Sequence, residues 1–243
     1  MRVLVVQNFD DEGLGQLGAA LAEADARIDL RRPYQADGLP RDASGHDAMV
    51  VLGGGQNALD DALCPYFPPL LALMRDFAGS GRSVLGICLG SQLLARAYGG
   101  CNLLGVAPEF GWQGIARTRE GAADPVLAAV PDAFTSFQWH DDTFTLPSGA
   151  VRLATNAVAE NQAFRIDRAA YGVQFHFEAD RLHVARWNTA FADILAEHQP
   201  DWAGRHAEEA AMHGPAADAA GLALARAWVA TIRQGALALK ATV

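Results

Sequence analysis

No run of apolar residues in this chain approaches the roughly 18 that a membrane-spanning helix needs, although 51% of its 243 residues are hydrophobic. The opening segment, Met1-Arg2-Val3-Leu4-Val5-Val6-Gln7, has too short an apolar stretch for a secretory signal. It reads as a buried strand, so a cytoplasmic protein is expected. Cysteine is scarce: Cys64, Cys88 and Cys101 are an odd number with no CxxC pair, which argues against a disulfide framework and a structural zinc site. Basic residues are outnumbered, 19 Lys and Arg against 28 Asp and Glu, and no basic cluster relieves the net charge of -9. A nucleic-acid partner is therefore not expected. Also missing are a GxxxxGK[ST] phosphate loop and a Ser-Gly-Gly pyrophosphatase loop, so the chain itself should hold no nucleotide. Neither internal repeats nor low-complexity linkers divide it. The expectation is one domain over 1–243, with a core over about 1–195 and a helical region over about 196–243.

What is present alternates between two periodicities. Val3 to Asn8 is a continuous apolar run suited to a strand buried on both faces, and Asp10 to Glu23 follows with Leu14, Leu17 and Leu21 at helical spacing. Short strands are expected at Ile28–Leu30, at Asp47–Leu52, which runs into Gly53-Gly54-Gly55, and at Ser83–Ile87. Helices are expected over Tyr66–Ala78 and Leu89–Tyr98. Such alternation predicts a mostly parallel central sheet with helices on both faces and chemistry at the carboxyl ends of its strands. Between about Leu103 and Val173 the pattern changes to short β-like runs broken by Gly, Pro and Asp: Gly114–Thr118, Ala133–Trp139, Val151–Thr155 and Ala163–Ile166. These predict an antiparallel extension. Ala170–His176 reads as a central strand, and the chain from Arg181 as helical, with a break near His213-Gly214-Pro215.

Three places on this map point to one chemistry. In Gly86-Ile87-Cys88-Leu89-Gly90-Ser91-Gln92 a nucleophile has glycine two residues away on either side, between a strand and a helix. That is the pattern of a strand–turn–helix elbow, whose tight turn exposes the nucleophile. The amides and dipole at the start of the following helix favour a thiolate and an oxyanion. Gly172-Val173-Gln174-Phe175-His176-Phe177-Glu178 ends an apolar strand in a histidine and a carboxylate. The first is able to take a proton from Cys88, the second to hold the imidazole in the right tautomer. Gly53-Gly54-Gly55, directly after a buried strand, offers free N–H groups that with the Leu89 N–H would form an oxyanion hole. Cys64 and Cys101 are read as small, partly buried residues.

With these motifs in place the sequence resembles the class I (triad-type) glutamine amidotransferases, over about residues 1–195. Pro108-Glu109-Phe110-Gly111-Trp112 and Phe137-Gln138-Trp139-His140-Asp141-Asp142 are similar to stand-alone members akin to the amidotransferase domain of GMP synthase. The resemblance implies a flavodoxin-like α/β fold and makes Cys88 the nucleophile, His176 the base and then acid, and Glu178 the orienting carboxylate. Gly55 or Gly54 and Leu89 would supply the oxyanion amides. Gln92 would help hold the α-amino-acid end of glutamine, with the Trp139–Asp142 segment, Asp141 and Asp142 included, doing the same. His140 is read as a structural histidine, since His176 already has the full frame of a base. One departure stands out: the residue between His and Glu is usually proline, which pre-shapes that turn, and here it is Phe177.

The expected reaction is hydrolysis of glutamine, or of another γ-glutamyl amide, through a cysteine thioester with release of ammonia, and needs no metal or organic cofactor. Ammonia would pass to a separate synthase subunit. The alternative is a stand-alone γ-glutamyl peptidase or hydrolase. A non-catalytic binding or regulatory protein fits less well, because a dead site has no physical need for Cys, His and Glu together. Leu222, Leu224, Ala225, Trp228, Val229 and Ile232 form a helical apolar stripe. It is read first as packing on the chain's own sheet, and second as a homodimer or synthase-docking face.

Overall fold

A computed structural model describes residues 1–241; the last two residues of the expected helical region lie outside the described residues. The first half runs β1 (Arg2–Val6), α1 (Gly15–Glu23), β2 (Arg27–Arg31), β3 (Ala48–Val51), α2 (Phe67–Gly79), β4 (Ser83–Ile87) and α3 (Leu89–Ala97). There follow β5 (Asn102–Leu103), β6 (Glu109–Arg117), α4 (Arg119–Ala122), β7 (Ala133–His140), β8 (Thr143–Phe144), β9 (Val151–Thr155), β10 (Ala163–Ile166) and β11 (Ala170–Val173). Three helices close the chain: α5 (Arg181–Ala190), α6 (Ala192–His198) and α7 (Trp202–Ala241).

Nine strands form one sheet in the order β2-β1-β3-β4-β11-β10-β9-β6-β7, while β5 and β8 pair separately. From β2 to β11 every pairing is parallel, and from β11 to β7 every pairing is antiparallel, as the two sequence patterns predict. The parallel strands are apolar at every position because alternate side chains enter different cores. Val3, Val5, Val50, Leu85 and Ile87 pack with Leu17 and Leu21 of α1 and with α7. Leu4, Val6, Met49, Val51 and Val84 pack with Phe67, Leu70, Met74 and Phe77 of α2 and with Leu93 and Leu94 of α3. Two prolines open α2, where the missing N–H costs nothing because first-turn amides have no helical acceptor.

Three boundaries differ from expectation. β1 ends at Val6 and α1 begins only at Gly15, so residues 10–14, expected to be helical, form a loop. Hydrogen bonds from the Gln7 side chain to the carbonyls of Asp10 and Glu12 hold that loop open, and an isolated helical pattern cannot foresee them. β11 stops at Val173, short of His176, because the chain there turns to bond with β7. The expected break at His213-Gly214-Pro215 is absent: α7 runs straight through it. A mid-helix proline costs about 3 kcal/mol, but packing on either side of Pro215 outweighs that local cost. Trp202 and Ala217 are buried in an aromatic cluster, and Leu224, Ala225, Trp228, Val229 and Ile232 are buried in the main core. Gly214 lies so close to Arg181 that a Cβ would fall 2.2 Å from its side chain. The apolar stripe is thus consumed inside the fold; only Leu222 is half-buried. Cys64 is buried as expected, whereas Cys101 is exposed. Among the described residues no helix is long and apolar enough to cross a membrane.

Candidate active site

The register of β4 against β11 pairs Ile87 with Val173, so both strands end at the same level. Cys88 follows immediately, its N–H donating to the Val173 carbonyl at 2.8 Å. Its backbone sits at φ 50 and ψ -111, a region that side-chain-bearing residues rarely occupy. Both flanking glycines are required by contact. A Cβ on Gly86 would lie 2.2 Å from the Gly90 carbonyl oxygen, and one on Gly90 would lie 2.1 Å from that of Val51. The Cys88 carbonyl accepts from the Ser91 N–H at 2.9 Å, the Gln92 N–H at 3.2 Å and the Ser91 hydroxyl at 2.7 Å. The preceding amides of α3, those of Leu89 and Gly90, have no acceptor within their own helix and open beside the thiol.

After β11 the chain is handed to the antiparallel half of the sheet: Gln174 N–H donates to the Gln162 carbonyl at 2.9 Å and His176 N–H to the Phe137 carbonyl at 2.8 Å. His176 Nδ1 and Glu178 Oε1 are 2.6 Å apart, both side chains almost wholly buried. Burial favours the neutral ring, but the Glu178 carboxylate and the Cys88 sulfur, which lies within hydrogen-bonding reach, outweigh it. Together they hold the imidazole pKa well above its ordinary value. Trp187 packs edge-on against the ring, centroids 5.1 Å apart. Phe177, in place of the usual proline, fixes the turn by burial instead of by ring closure. Its side chain enters the main core, and its carbonyl accepts from Gln16 Nε2 at 3.1 Å.

The glycine loop faces the elbow. A Cβ on Gly54 would touch the Leu89 side chain at 3.1 Å, whereas one on Gly55 would meet nothing within 4 Å, so Gly55 borders open space. Gln92 is buried, with Nε2 3.4 Å from both the Asp142 carbonyl and Gln174 Oε1. The two aspartates have other duties than pointing into the site. Asp142 accepts the Gly105 N–H on Oδ1 at 2.8 Å, and Asp141, exposed, accepts the Ala107 N–H on its carbonyl. His140 is held away from Cys88, Nδ1 bonded to the Asp142 carbonyl at 3.0 Å and Nε2 3.3 Å from Glu109.

Sequence reasoning missed three participants. The Trp139 carbonyl and Gln174 Nε2 each lie 3.7 Å from Cys88 Sγ; Gln174 was visible inside the His-x-Glu motif but carried no distinct signal. The third is Glu12. An oxygen of Glu12, a ring nitrogen of His176 and an oxygen of Glu178 all lie within 4.8 Å of one another. His176 Nδ1 is already committed to Glu178, so these groups form a proton-sharing cluster and not a ready metal site.

A buried histidine–carboxylate pair, a strained cysteine at a helix start and a glycine loop are the parts of an acyl-transfer site. Residues 6–183 match the family described as Glutamine amidotransferase class-I. The chain belongs to that family. It is similar to the glutamine amidotransferase-like protein YfeJ of Salmonella typhimurium, 32% identical over 173 residues, or 69% of this chain and 72% of that one. The crystal structure of a glutamine amidotransferase from Thermotoga maritima superposes with a TM-score of 0.83 at 28% identity, covering 94% of this chain and 98% of that chain. A glutamine-hydrolyzing GMP synthase of Thermosipho africanus is 28% identical over 173 residues, which are 68% of this chain but only 30% of the synthase's length.

Proposed function

We propose that this class I amidotransferase hydrolyses the γ-carboxamide of glutamine, or of a related γ-glutamyl compound, through a thioester on Cys88. The observation that carries the reading is the buried 2.6 Å His176–Glu178 pair set against a cysteine at the start of α3. Cys88 thiolate adds to the carboxamide carbon. The amides of Leu89 and of Gly54 or Gly55 take the developing oxyanion, each such donor contributing about 3 kcal/mol in comparable reactions. His176, charged and steadied by Glu178, gives its proton to the departing ammonia as the C–N bond breaks. His176 then takes a proton from water, which attacks the γ-glutamyl thioester, releases glutamate and restores the thiol. Gln92, with the backbone of Trp139–Asp142, holds the α-amino-acid end of the substrate; the side chains of Asp141 and Asp142 act there at most through the loop they brace.

The chain carries no phosphate loop or pyrophosphatase loop, and it matches under a third of a glutamine-hydrolyzing synthase. Both facts support an ammonia acceptor in a separate protein, with the whole chain acting as one amidotransferase unit. The test is ammonia release from L-glutamine and from a panel of γ-glutamyl amides and peptides. Turnover of glutamine is expected, and Cys88→Ser should abolish it. Brisk turnover restricted to γ-glutamyl conjugates would favour the stand-alone hydrolase instead. Wild-type turnover by Cys88→Ser would overturn the mechanism.

A further inference from the structure

Glu12 has no part in the steps above, yet the fold goes to some length to place it. The loop between β1 and α1 is pinned at several points. Gln7 Nε2 donates to the carbonyls of Asp10 at 2.9 Å and Glu12 at 2.7 Å, and Trp187 Nε1 to that of Asp11 at 3.0 Å. Gln16 N–H donates to the Glu178 carbonyl at 2.8 Å, and a Cβ on Gly15 would lie 2.0 Å from that same oxygen. Two remote segments are thereby fastened so that one carries the His176–Glu178 pair and the other carries Glu12. The Glu12 residue is partly exposed, but its Oε2 is sealed from solvent without a hydrogen-bond partner, and so is Oε2 of Glu178. A buried acceptor left unmet is costly, and such costs persist where function requires them. A Cβ on Gly53 would lie 3.1 Å from His176 Cε1 and 3.3 Å from Glu12 Oε2, so the carboxyl approaches the carbon edge of the ring.

We propose that Glu12 is a positioning residue of the amidase site: its carboxyl, held beside the His176–Glu178 pair, lends negative charge to the imidazolium that protonates the leaving ammonia, and withdraws it when protonated. The inference rests on the amidase reading of Cys88 and His176. Burial pushes the Glu12 carboxyl up to about 7, opposed by the His176 charge and aided by Glu178 and Asp11. The remaining ionisable neighbour is His183 of α5, whose ring lies against Gly13 and Gly15 and whose pKa burial lowers. Glu12 therefore changes charge near neutrality. Below that point Glu178 alone supports the imidazolium; above it two carboxylates do, and the acid needed for ammonia departure survives to higher pH.

The test follows the His176 ring directly, by NMR titration of protein labelled at histidine Cε1, with the signal assigned by its loss in His176→Gln. In the wild type the His176 curve should show a second inflection near pH 7, in addition to its own titration. In Glu12→Gln that inflection should vanish and the His176 midpoint should fall by about one unit, a tenfold change in its proton affinity. The alkaline limb of ammonia release should move down by the same amount. Identical curves in the two proteins would overturn the proposal. If Glu12→Gln does not fold, a wild-type curve lacking the inflection near 7 overturns it equally. A wild type that shows the coupling but releases no ammonia from any γ-glutamyl amide would instead sink the amidase reading.

Discussion

Glu178 bonds His176 Nδ1 at 2.6 Å in a nearly dry setting, so glutamine in its place keeps the shape but loses the charge that stabilises the imidazolium. Glu178→Gln is expected to lower kcat by about 10²–10⁴-fold with little change in KM, since the loss falls on the transition state. Steady-state ammonia release checks it, and a fall of less than about threefold would remove Glu178 from the orienting role. The neighbouring Phe177 tests a different cause. Restoring the proline usual at this position would stiffen the turn but empty the pocket that the ring fills in the main core. Phe177→Pro should therefore lower stability by about 3 kcal/mol in urea unfolding, the cost of truncating a buried aromatic. These residues were legible because their chemistry sits in compact motifs whose glycines and apolar neighbours betray them. Glu12 was not legible. In Asp10-Asp11-Glu12-Gly13 it reads as the polar start of a helix, and its meaning lies wholly in contacts with residues beyond position 170.

Among elements, the elbow shows most plainly why a motif takes the form it does. Gly86 and Gly90 are not interchangeable with alanine, because each added methyl would press on backbone oxygen that has nowhere to go. Gly86→Ala and Gly90→Ala should each cost about 3 kcal/mol or more and disturb Cys88, whereas Gly55→Ala, which meets open space, should change stability by no more than about 0.5 kcal/mol. Thermal melts of the three variants decide this, and a Gly90→Ala protein as stable as Gly55→Ala would refute the contact argument. The strands of the parallel half were readable for a kindred reason. A strand flanked by helices on both faces is apolar throughout, so β4 falls on the residues its sequence predicts. Elements set by remote contacts were not readable. The loop at residues 10–14 is held by Gln7, β11 is cut short by a bond to β7, and α7 crosses Pro215 because both of its halves are packed.

Across the whole molecule, the acidic charge and the burial of the α7 stripe leave that stripe with no surface to offer, so a synthase or a second copy would have to dock elsewhere. The same global view links the site to stability. An ionised Glu12 is costly to bury, so its contribution must appear in unfolding as well as in the His176 titration. Its carboxyl titrates at an ordinary 4.5 when unfolded and at about 7 when folded. Between those values the folded protein keeps a proton that the unfolded chain has released. Stability therefore falls as pH rises through this window and levels off above it, by an amount on the order of 3 kcal/mol for this one group. His176, whose folded pKa is also raised, contributes a loss of the same sign as pH rises. It titrates in both proteins, so the comparison with Glu12→Gln, which has no proton to release, isolates Glu12 apart from the shift the substitution causes in His176. Urea unfolding at half-unit steps from pH 4.5 to 8 should show the variant gaining on the wild type up to about pH 7 and holding a constant lead beyond it. Parallel curves over the whole range would mean that Glu12 enters the fold already ionised, and its carboxyl would then be a fixed charge on His176 instead of a titrating one.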